Sequence, residues 1–286
     1  MTDAAENPRD GDFELVTLRN GRRAVRHCPS GEVMHPSVGP WAEANLLYVD
    51  QLQLGERLQQ SARGPLRIFD VGLGAGTNAL AALACARGLG AQRRRELEII
   101  SFERDLAPFR LALDHGLGVS ETAGLQREAH VLRNHGVYQG GGITWRLMEG
   151  EFLELLAEIR EPAHLIYFDP FSPQVNPELW SVASLQQVFG VCDPEEGTTL
   201  ATYSAATPTR LGLLLAGFFV GTGVAVGTKK ETTVAANQLR HLKSPLGPEF
   251  IGRWERSTAR APYGAELTAT DETALRAHAQ FRDGSR

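Results

Sequence analysis

Cysteine is scarce in this chain of 286 residues, which contains only Cys28, Cys85 and Cys192. The three are far apart, their number is odd, and no CxxC pair occurs. This pattern argues against a disulfide framework and against a zinc site. We therefore expect reduced thiols, no metal and a cytoplasmic location.

Positive charge is also in deficit, since 29 Lys and Arg residues face 34 Asp and Glu residues, a formal net charge of −5. Such a balance argues against a protein that binds nucleic acid through its bulk charge, although it allows a local basic patch. Long apolar runs are absent, so we expect no contact with a membrane. The acidic, polar N-terminus, MTDAAENPRDGD, has the pattern of neither a signal peptide nor a transit peptide.

Short apolar runs are present, and from residue 66 onward they alternate with helical patterns. Hydrophobic residues make up 42% of the chain, enough for one large domain or two small ones. The alternation predicts an α/β fold with a mostly parallel sheet and helices on both faces. The apolar runs cover residues 66–72, 97–103, 143–150, 164–170 and 198–204.

Four segments follow from this pattern. We expect a flexible tail over 1–12 and an N-terminal extension over 13–62. The extension would contain a hairpin around Asn20-Gly21 and a helix over 41–58. The main domain would cover 63–240 and end in an antiparallel edge hairpin. A C-terminal tail would cover 241–286, and its polar, Ala-rich part from about Pro262 to Arg286 would form one terminal helix.

The first chemical motif, FDVGLGAGTNAL, lies at a strand end and opens a helix. Gly72, Gly74 and Gly76 permit a tight turn and the close approach of a ligand. The GxGxG spacing differs from the dinucleotide fingerprint, and the phosphate-loop lysine is missing. Asp70 would repel a pyrophosphate but suits a cationic ligand such as a sulfonium. Asn78 belongs to the same candidate site. The alternative interpretation of the motif is an ordinary strand–helix turn whose glycines serve only packing.

Two further acids follow predicted strands. Glu103 stands 33 residues after Asp70, where a carboxylate can accept hydrogen bonds from ribose hydroxyls. Glu151, in MEGEF, would either contact an adenine amino group or stabilise the next helix by its charge. Both interpretations of Glu151 stay open at this point.

The densest cluster is YFDPFSPQVNPELW, a Pro-rich loop after a strand-end aspartate. It falls at the carboxyl edge of the sheet, where α/β proteins bind ligands. Asp169 is placed to hold an amine nucleophile, and Phe171 and Trp180 are candidates for stacking on a base. The alternative is a structural turn whose aromatic rings belong to the core.

The last motifs are ATYSAATPTR and GTKKETT. We expect Tyr203 to line the pocket, and Arg210, Lys229 and Lys230 are candidate phosphate contacts. For the two lysines an ordinary solvated edge is an equal alternative. The run of arginines at 93–95 is interpreted as a solvated face.

The combination of DxGxGxG with an acid at the second strand's end resembles class I S-adenosylmethionine-dependent methyltransferases. Four strings resemble more narrowly the methyltransferase domain of the MnmC-type tRNA modification enzymes. They are FDPFSPQVNPELW, LATYSAATPTRLGLLLAGF, HPSVGPWAEANLLYV and KKE, within residues 15–235. The family usually has Gly-Asp where this sequence has Gly150-Glu151.

The resemblance implies a Rossmann-like fold with a seven-stranded sheet, S-adenosyl-L-methionine as cofactor and the anticodon stem-loop of tRNA as partner. The implied reaction is N-methylation of the 5-aminomethyl group on the wobble (2-thio)uridine, with Asp169 as the catalytic residue that binds the amine. The sequence has no second dinucleotide fingerprint, so we expect a stand-alone methyltransferase without FAD. A basic strip would hold the tRNA and would comprise Arg19, Arg22, Arg23, Arg26 and the edge lysines.

Two alternatives stay open. One is methyl or aminopropyl transfer to a small-molecule amine on the same fold. The other is a cofactor-binding protein without catalysis, against which the intact Asp169 loop weighs.

Overall fold

The computed structural model describes residues 7–18, 21, 23–34, 39–117, 124–227 and 229–282, without the side chain of Arg93. The predicted turn residue Asn20 lies outside these ranges, as do Arg19, Arg22 and residues 35–38 of the N-terminal motif. The chain divides into two compact units, Met1–Leu155 and Leu156–Arg286. The segment boundaries after residues 12, 62 and 240 stay a prediction.

The first unit begins with a small antiparallel sheet of three strands in the order β1-β2-β3. They are β1 (Arg9–Asp10), β2 (Phe13–Thr17) and β3 (Arg23–His27). Thr17 pairs with Arg23, so the two strands of the predicted hairpin are paired antiparallel. Its buried face carries Phe13, Leu15 and Val25.

The predicted helix over 41–58 is divided into three parts. These are α1 (Pro40–Ala44), a π-helical stretch (Asn45–Asp50) and α2 (Leu54–Gln59). The break follows from Gln53, whose φ of 55° is left-handed and ends the helical path. Leu47, Tyr48 and Leu58 are fully buried on the inner side of this segment.

The first unit also contains four strands in the order β4-β5-β7-β6. They are β4 (Leu66–Val71), β5 (Leu97–Glu103), β6 (Val137–Gly140) and β7 (Ile143–Glu149). The pairs β4–β5 and β5–β7 are parallel, whereas β6 is antiparallel to β7. Every residue of β4 is buried, as its continuous apolar pattern predicts.

Four helices accompany these strands. They are α3 (Thr77–Leu89), α4 (Ala107–Asp114), α5 (Gln126–His135) and α6 (Phe152–Leu156). The sequence pattern predicted α3, α4 and α6 but neither α5 nor β6. With β6, the described residues contain eight strands besides the three of the N-terminal sheet. This is one more than the seven that we expected.

The second unit contains four strands in the order β10-β11-β9-β8. They are β8 (Leu165–Phe168), β9 (Thr199–Thr202), β10 (Phe219–Gly223) and β11 (Thr232–Ala236). β8 and β9 are parallel, and β10 and β11 form the predicted antiparallel hairpin. The helices α7 (Val182–Gly190) and α8 (Thr207–Leu215) connect these strands.

The segment after residue 240 contains α9 (Glu249–Arg256), which the sequence pattern did not predict, and α10 (Ala269–Arg276), which lies within the part where one helix was predicted. It is tied to strand β10. The side-chain amide of Gln280 donates to the carbonyls of Val220 and Leu246 and accepts from the Val220 N–H, at 2.7–2.8 Å. These bonds satisfy backbone groups that an open strand edge leaves exposed. None of the helices in the described ranges is long and apolar enough to cross a membrane.

Candidate functional site

The glycine-rich turn of the first unit lies between β4 and α3. Gly72, Gly74 and Gly76 have φ values of 87°, 52° and 81°, a region that side chains other than glycine rarely adopt. A Cβ atom on Gly76 would lie 2.6 Å from Cε2 of Phe109, so no larger residue fits there. The turn leads into the first residues of α3, whose backbone N–H groups have no partner within the helix. This geometry suits a ligand that approaches the backbone closely.

Glu103 is joined to that turn. Its Oε2 accepts from the backbone N–H of Gly74 at 3.0 Å, and its Oε1 accepts from Arg104 N and Asp105 N at 2.8 and 3.1 Å. Burial raises the pKa of Glu103, and the three N–H donors oppose that rise. The structure therefore brings together two elements that the sequence placed separately, the glycine turn and the acid after β5.

Asp70 lies behind the turn. Its side chain is fully buried, and Oδ2 accepts a hydrogen bond of 2.6 Å from Ser101 Oγ. Ser101 Oγ in turn accepts from Trp145 Nε1 at 2.9 Å. Asn78, in the first turn of α3, is buried as well. Because Asp70 is buried, it would act on a cationic ligand through its charge rather than by surface contact.

Glu151 directly precedes α6, where its charge is favourable to the helix dipole. The side chain is exposed, and its Oε1 lies 3.6 Å from Nη1 of Arg104. Exposed pairs of this kind contribute little to stability. The position is compatible with both interpretations of Glu151.

Asp169 in the second unit directly follows β8 and is partly exposed. The loop behind it is held by Trp180, whose Nε1 donates to the carbonyl of Phe171 at 2.9 Å. Trp180 is 0% exposed, so the structure does not place its ring on the surface for stacking on a base. The alternative interpretation, an aromatic ring within the core, describes Trp180, whereas Phe171 is partly exposed.

Tyr203 follows β9 and belongs to the same loop cluster. Its hydroxyl donates to the carbonyl of Pro170 at 3.1 Å, next to Asp169. Lys229 Nζ lies 4.5 Å from the centre of the Tyr203 ring and donates to its carbonyl at 3.3 Å. Lys230 is exposed. Tyr203 and Lys229 are therefore adjacent in the structure, although they belong to two separate sequence motifs.

Arg210 does not lie where the sequence suggested. It is 2% exposed, and its guanidinium donates to Glu231 Oε1, the carbonyl of Thr232 and Thr233 Oγ1 at 2.9–3.1 Å. Burial lowers the pKa of Arg210, while Glu231 opposes that shift. The side chain joins α8 to β11, so the structure does not present it to a phosphate group.

The predicted basic strip is only partly described. Arg23 donates to the carbonyl of His115, and Arg26 pairs with Glu14. The arginine run at 93–95 is not the solvated face that we expected for Arg94 and Arg95. Both donate to several backbone carbonyls of neighbouring loops and, for Arg94, of helix α3.

Sequence reasoning missed Met34 and Tyr263. The sulfur of Met34 lies 3.5 Å from where a Cβ on Gly74 would be, so it borders the glycine turn. Tyr263 packs against Trp180 with ring centres 6.4 Å apart. The only signal for Tyr263 is an aromatic residue after Pro262 in an otherwise polar segment.

Comparison with known proteins gives a matching family model and several similar proteins. Residues 124–238 match a family model described as S-adenosyl-L-methionine-dependent methyltransferase. Among curated proteins, similar ones are named tRNA 5-methylaminomethyl-2-thiouridine biosynthesis bifunctional protein MnmC. The protein from Methylibium petroleiphilum is 32% identical over 221 residues, 75% of this chain and 33% of that protein. The protein from Ralstonia nicotianae is 32% identical over 234 residues, 78% of this chain and 34% of that protein.

The chain thus spans about a third of the length of the curated relatives it matches. A crystal structure of MnmC2 from Aquifex aeolicus superimposes with a TM-score of 0.71 and 25% identity, over 94% of this chain and 84% of that one. A spermidine synthase structure superimposes with a TM-score of 0.51 and 10% identity, over 95% and 86%, and shows the fold alone. The predicted Rossmann-like α/β class is confirmed. This chain is an S-adenosyl-L-methionine-dependent methyltransferase that resembles the corresponding region of the MnmC proteins.

Proposed function

We propose that this methyltransferase methylates the 5-aminomethyl group of the wobble (2-thio)uridine in tRNA, giving 5-methylaminomethyl-(2-thio)uridine. The name of the MnmC relatives, which refers to this nucleoside, supports the proposal. The observation that carries it is the Asp169 loop, where an accessible carboxylate is backed by Trp180 and flanked by Tyr203. A tRNA substrate places the reaction in the cytoplasm.

The glycine turn and Glu103 are the residues that would hold S-adenosyl-L-methionine. The fit rests on the positive φ values of Gly72, Gly74 and Gly76, which let the backbone turn tightly where a ligand approaches, and on a carboxylate suited to ribose hydroxyls. Asn78 and Asp70 would stabilise the turn from behind, and Glu151 would contact the adenine amino group. When bound, S-adenosyl-L-methionine supplies an electrophilic methyl group on a sulfonium.

Asp169 would act on the amine. A primary alkylamine is mostly protonated near neutral pH, as the lysine side chain is. A carboxylate that accepts an N–H hydrogen bond orients the nitrogen and takes up a proton, directly or through water. We assign Asp169 this role because it is partly exposed at the end of a buried strand.

The other candidate site residues of the second unit would bind the RNA. Phe171 and Tyr203 are partly exposed rings that would line the base pocket. Lys229 and Lys230 are exposed cations beside Tyr203 and would contact phosphates of the anticodon stem-loop. Trp180 and Arg210 would keep the loop and α8 in place without touching the RNA.

The proposal is tested by transfer of a labelled methyl group to two acceptors in parallel. One is tRNA that carries 5-aminomethyluridine, and the other is a polyamine without RNA. We expect incorporation into tRNA that falls steeply as salt is raised, because phosphate contacts release counterions. Incorporation into the polyamine alone would replace tRNA with a small amine as the substrate.

A further inference from the structure

An aromatic cluster lies beside the Asp169 loop in the second unit. Trp180 is at its centre and contacts Phe168, Tyr203 and Tyr263 edge to face, with ring centres 5.2, 5.8 and 6.4 Å apart. Phe168 and Trp180 are fully buried, whereas Tyr203 and Tyr263 are partly exposed. The buried pair therefore supports two tyrosines that both reach the surface.

The backbone fixes the position of Tyr263. Tyr263 and Ser181 form a parallel β-bridge, and Ser181 directly follows Trp180. Pro262 before it is buried, and Gly264 after it has a φ of 74°, which turns the chain away. The bridge thus holds Tyr263 against the loop, although this residue comes from the segment after residue 240.

The charges around the cluster suit a polyanion. Lys229 lies over the Tyr203 ring, and Lys230 next to it is exposed. Arg253, on α9 of the same unit, is a further exposed cation.

We infer that Tyr263 is a substrate-binding residue whose ring, together with Tyr203, stacks on a base of the RNA. Stacking on aromatic rings beside cationic residues is a general means of binding unpaired bases. The inference rests on the proposed function, and it gives the C-terminal segment a place in the substrate site.

Three variants test the inference. Tyr263→Leu removes the ring, and Tyr263→Phe keeps it. Phe281→Leu removes a ring of the same C-terminal segment that contacts Phe250 and His278. The measurements are the Kd for an anticodon stem-loop carrying 5-aminomethyluridine, the KM and kcat for methyl transfer, the Kd for S-adenosyl-L-methionine and the unfolding temperature.

For Tyr263→Leu we expect the stem-loop Kd and KM to rise about tenfold, the size of effect that a lost stacking contact produces. The cofactor Kd, kcat and unfolding temperature should stay close to those of the wild type. Tyr263→Phe and Phe281→Leu should bind the stem-loop as the wild type does. Unchanged RNA affinity in Tyr263→Leu, or an equal loss in Tyr263→Phe, would overturn the inference.

A second measurement does not require the variant to fold. The wild-type protein is irradiated with a series of stem-loops that carry 5-bromouridine at each unpaired position of the loop in turn, and the crosslinked peptide is identified by mass spectrometry. A crosslink in the peptide that contains Tyr263 supports the inference, and crosslinks confined to other peptides overturn it.

The two proposals fail in different ways. If the wild type binds the stem-loop but transfers no methyl group, the proposed function fails, while the Kd values still decide the role of Tyr263. If methyl transfer occurs and Tyr263→Leu leaves Kd and KM unchanged, only the role of Tyr263 fails. A wild type that does not bind the stem-loop overturns both.

Discussion

The indole nitrogen of Trp180 donates a hydrogen bond of 2.9 Å to the carbonyl of Phe171. This bond joins the end of the Pro-rich loop to its beginning, two residues after Asp169. Because Trp180 is fully buried among other rings, the loop is anchored from below. A carboxylate held on such a loop keeps its position without a ligand, which is how binding sites on rigid supports reduce the entropy cost of binding.

Removal of the Trp180 ring should therefore act on stability. We expect Trp180→Ala to lower the free energy of unfolding by about 3–5 kcal/mol, the usual cost of deleting a buried indole. Trp180→Phe, which loses the Nε1 donor, should cost less, and the loss of the hydrogen bond alone is about 1 kcal/mol. Urea unfolding measures both. A Trp180→Ala protein with wild-type stability and weak RNA binding would instead indicate a surface role for this ring.

Asp169 should be needed for turnover but not for cofactor binding. We expect Asp169→Asn to lower kcat at least about a hundredfold, the lower end of the range for a general base. The Kd for S-adenosyl-L-methionine, measured by calorimetry, should not change. Glu178→Gln is the matched control, because Glu178 is an exposed acid of the same loop. Turnover in Asp169→Asn equal to that of the control would rule out the assigned role.

Arg210 should behave as a structural residue. Arg210→Met breaks a buried ion pair with Glu231 and two further hydrogen bonds. We expect the free energy of unfolding to fall by at least about 2 kcal/mol, because the remaining polar groups lose their partner. Denaturant unfolding provides the measurement. If stability is retained and only tRNA affinity falls, Arg210 contacts phosphate after all.

Substitution of Lys230, unlike that of Arg210, should affect RNA binding and not stability. The side chain is exposed, so Lys230→Met should leave stability unchanged. If Lys230 contacts a phosphate, the slope of log Kd for tRNA against log salt should fall by about 1. Titrations at several salt concentrations test this. An unchanged slope would show that Lys230 contacts no phosphate and belongs to an ordinary solvated edge.

Glu103 predicts a pH dependence of cofactor affinity. Burial raises the pKa of Glu103, against three backbone hydrogen bonds. The ionised carboxylate is the form that accepts from ribose hydroxyls. Affinity for S-adenosyl-L-methionine should therefore fall with decreasing pH, with a midpoint above the ordinary glutamate value of about 4.3. Glu103→Gln should bind weakly at every pH, and a wild-type midpoint at or below the ordinary glutamate value would contradict the prediction.

The same raised pKa has an effect of opposite sign on stability. The folded chain holds the Glu103 proton more tightly than the unfolded chain, so the carboxyl's contribution to stability is largest at low pH. It is lost as the pH rises from the ordinary value through the raised one. Within that window the unfolding temperature of the cofactor-free protein should fall while cofactor affinity rises. Parallel melting and calorimetry across the window measure both.

The strands near the candidate sites were predictable because each combines a buried apolar run with a following glycine, proline or acid. β5 was predicted at its observed bounds, Leu97–Glu103, and the glycine turn was predicted because closely spaced glycines permit a tight turn. Helix α5 was missed because its sequence, QREAHVLRNH, is mostly polar and buries little more than Glu128, Ala129 and Leu132. A helix with so narrow an apolar face gives a weak periodic signal.

The burial of Trp180 and Arg210 could not be read from local sequence. The sequence shows an aromatic residue in a Pro-rich loop, which is compatible both with stacking on a base and with packing in the core. Only the positions of the surrounding rings decide between these two interpretations of Trp180. Arg210 pairs with Glu231, which lies 21 residues later in the sequence. The rest of α8 and the strand β10 separate the two residues along the chain. A lone arginine is more often solvated than buried, so the pairing becomes visible only when α8 and β11 are in place.

The most direct test of the central claim is the identity of the methylated nucleoside. The protein is incubated with S-adenosyl-L-methionine and tRNA carrying 5-aminomethyluridine at the wobble position, and the nucleosides are separated by mass spectrometry. Fully modified tRNA serves as the control. We predict 5-methylaminomethyluridine in the first sample, in an amount equal to the aminomethyl nucleoside consumed. Unchanged aminomethyluridine in the presence of a protein that binds the cofactor would contradict the assignment.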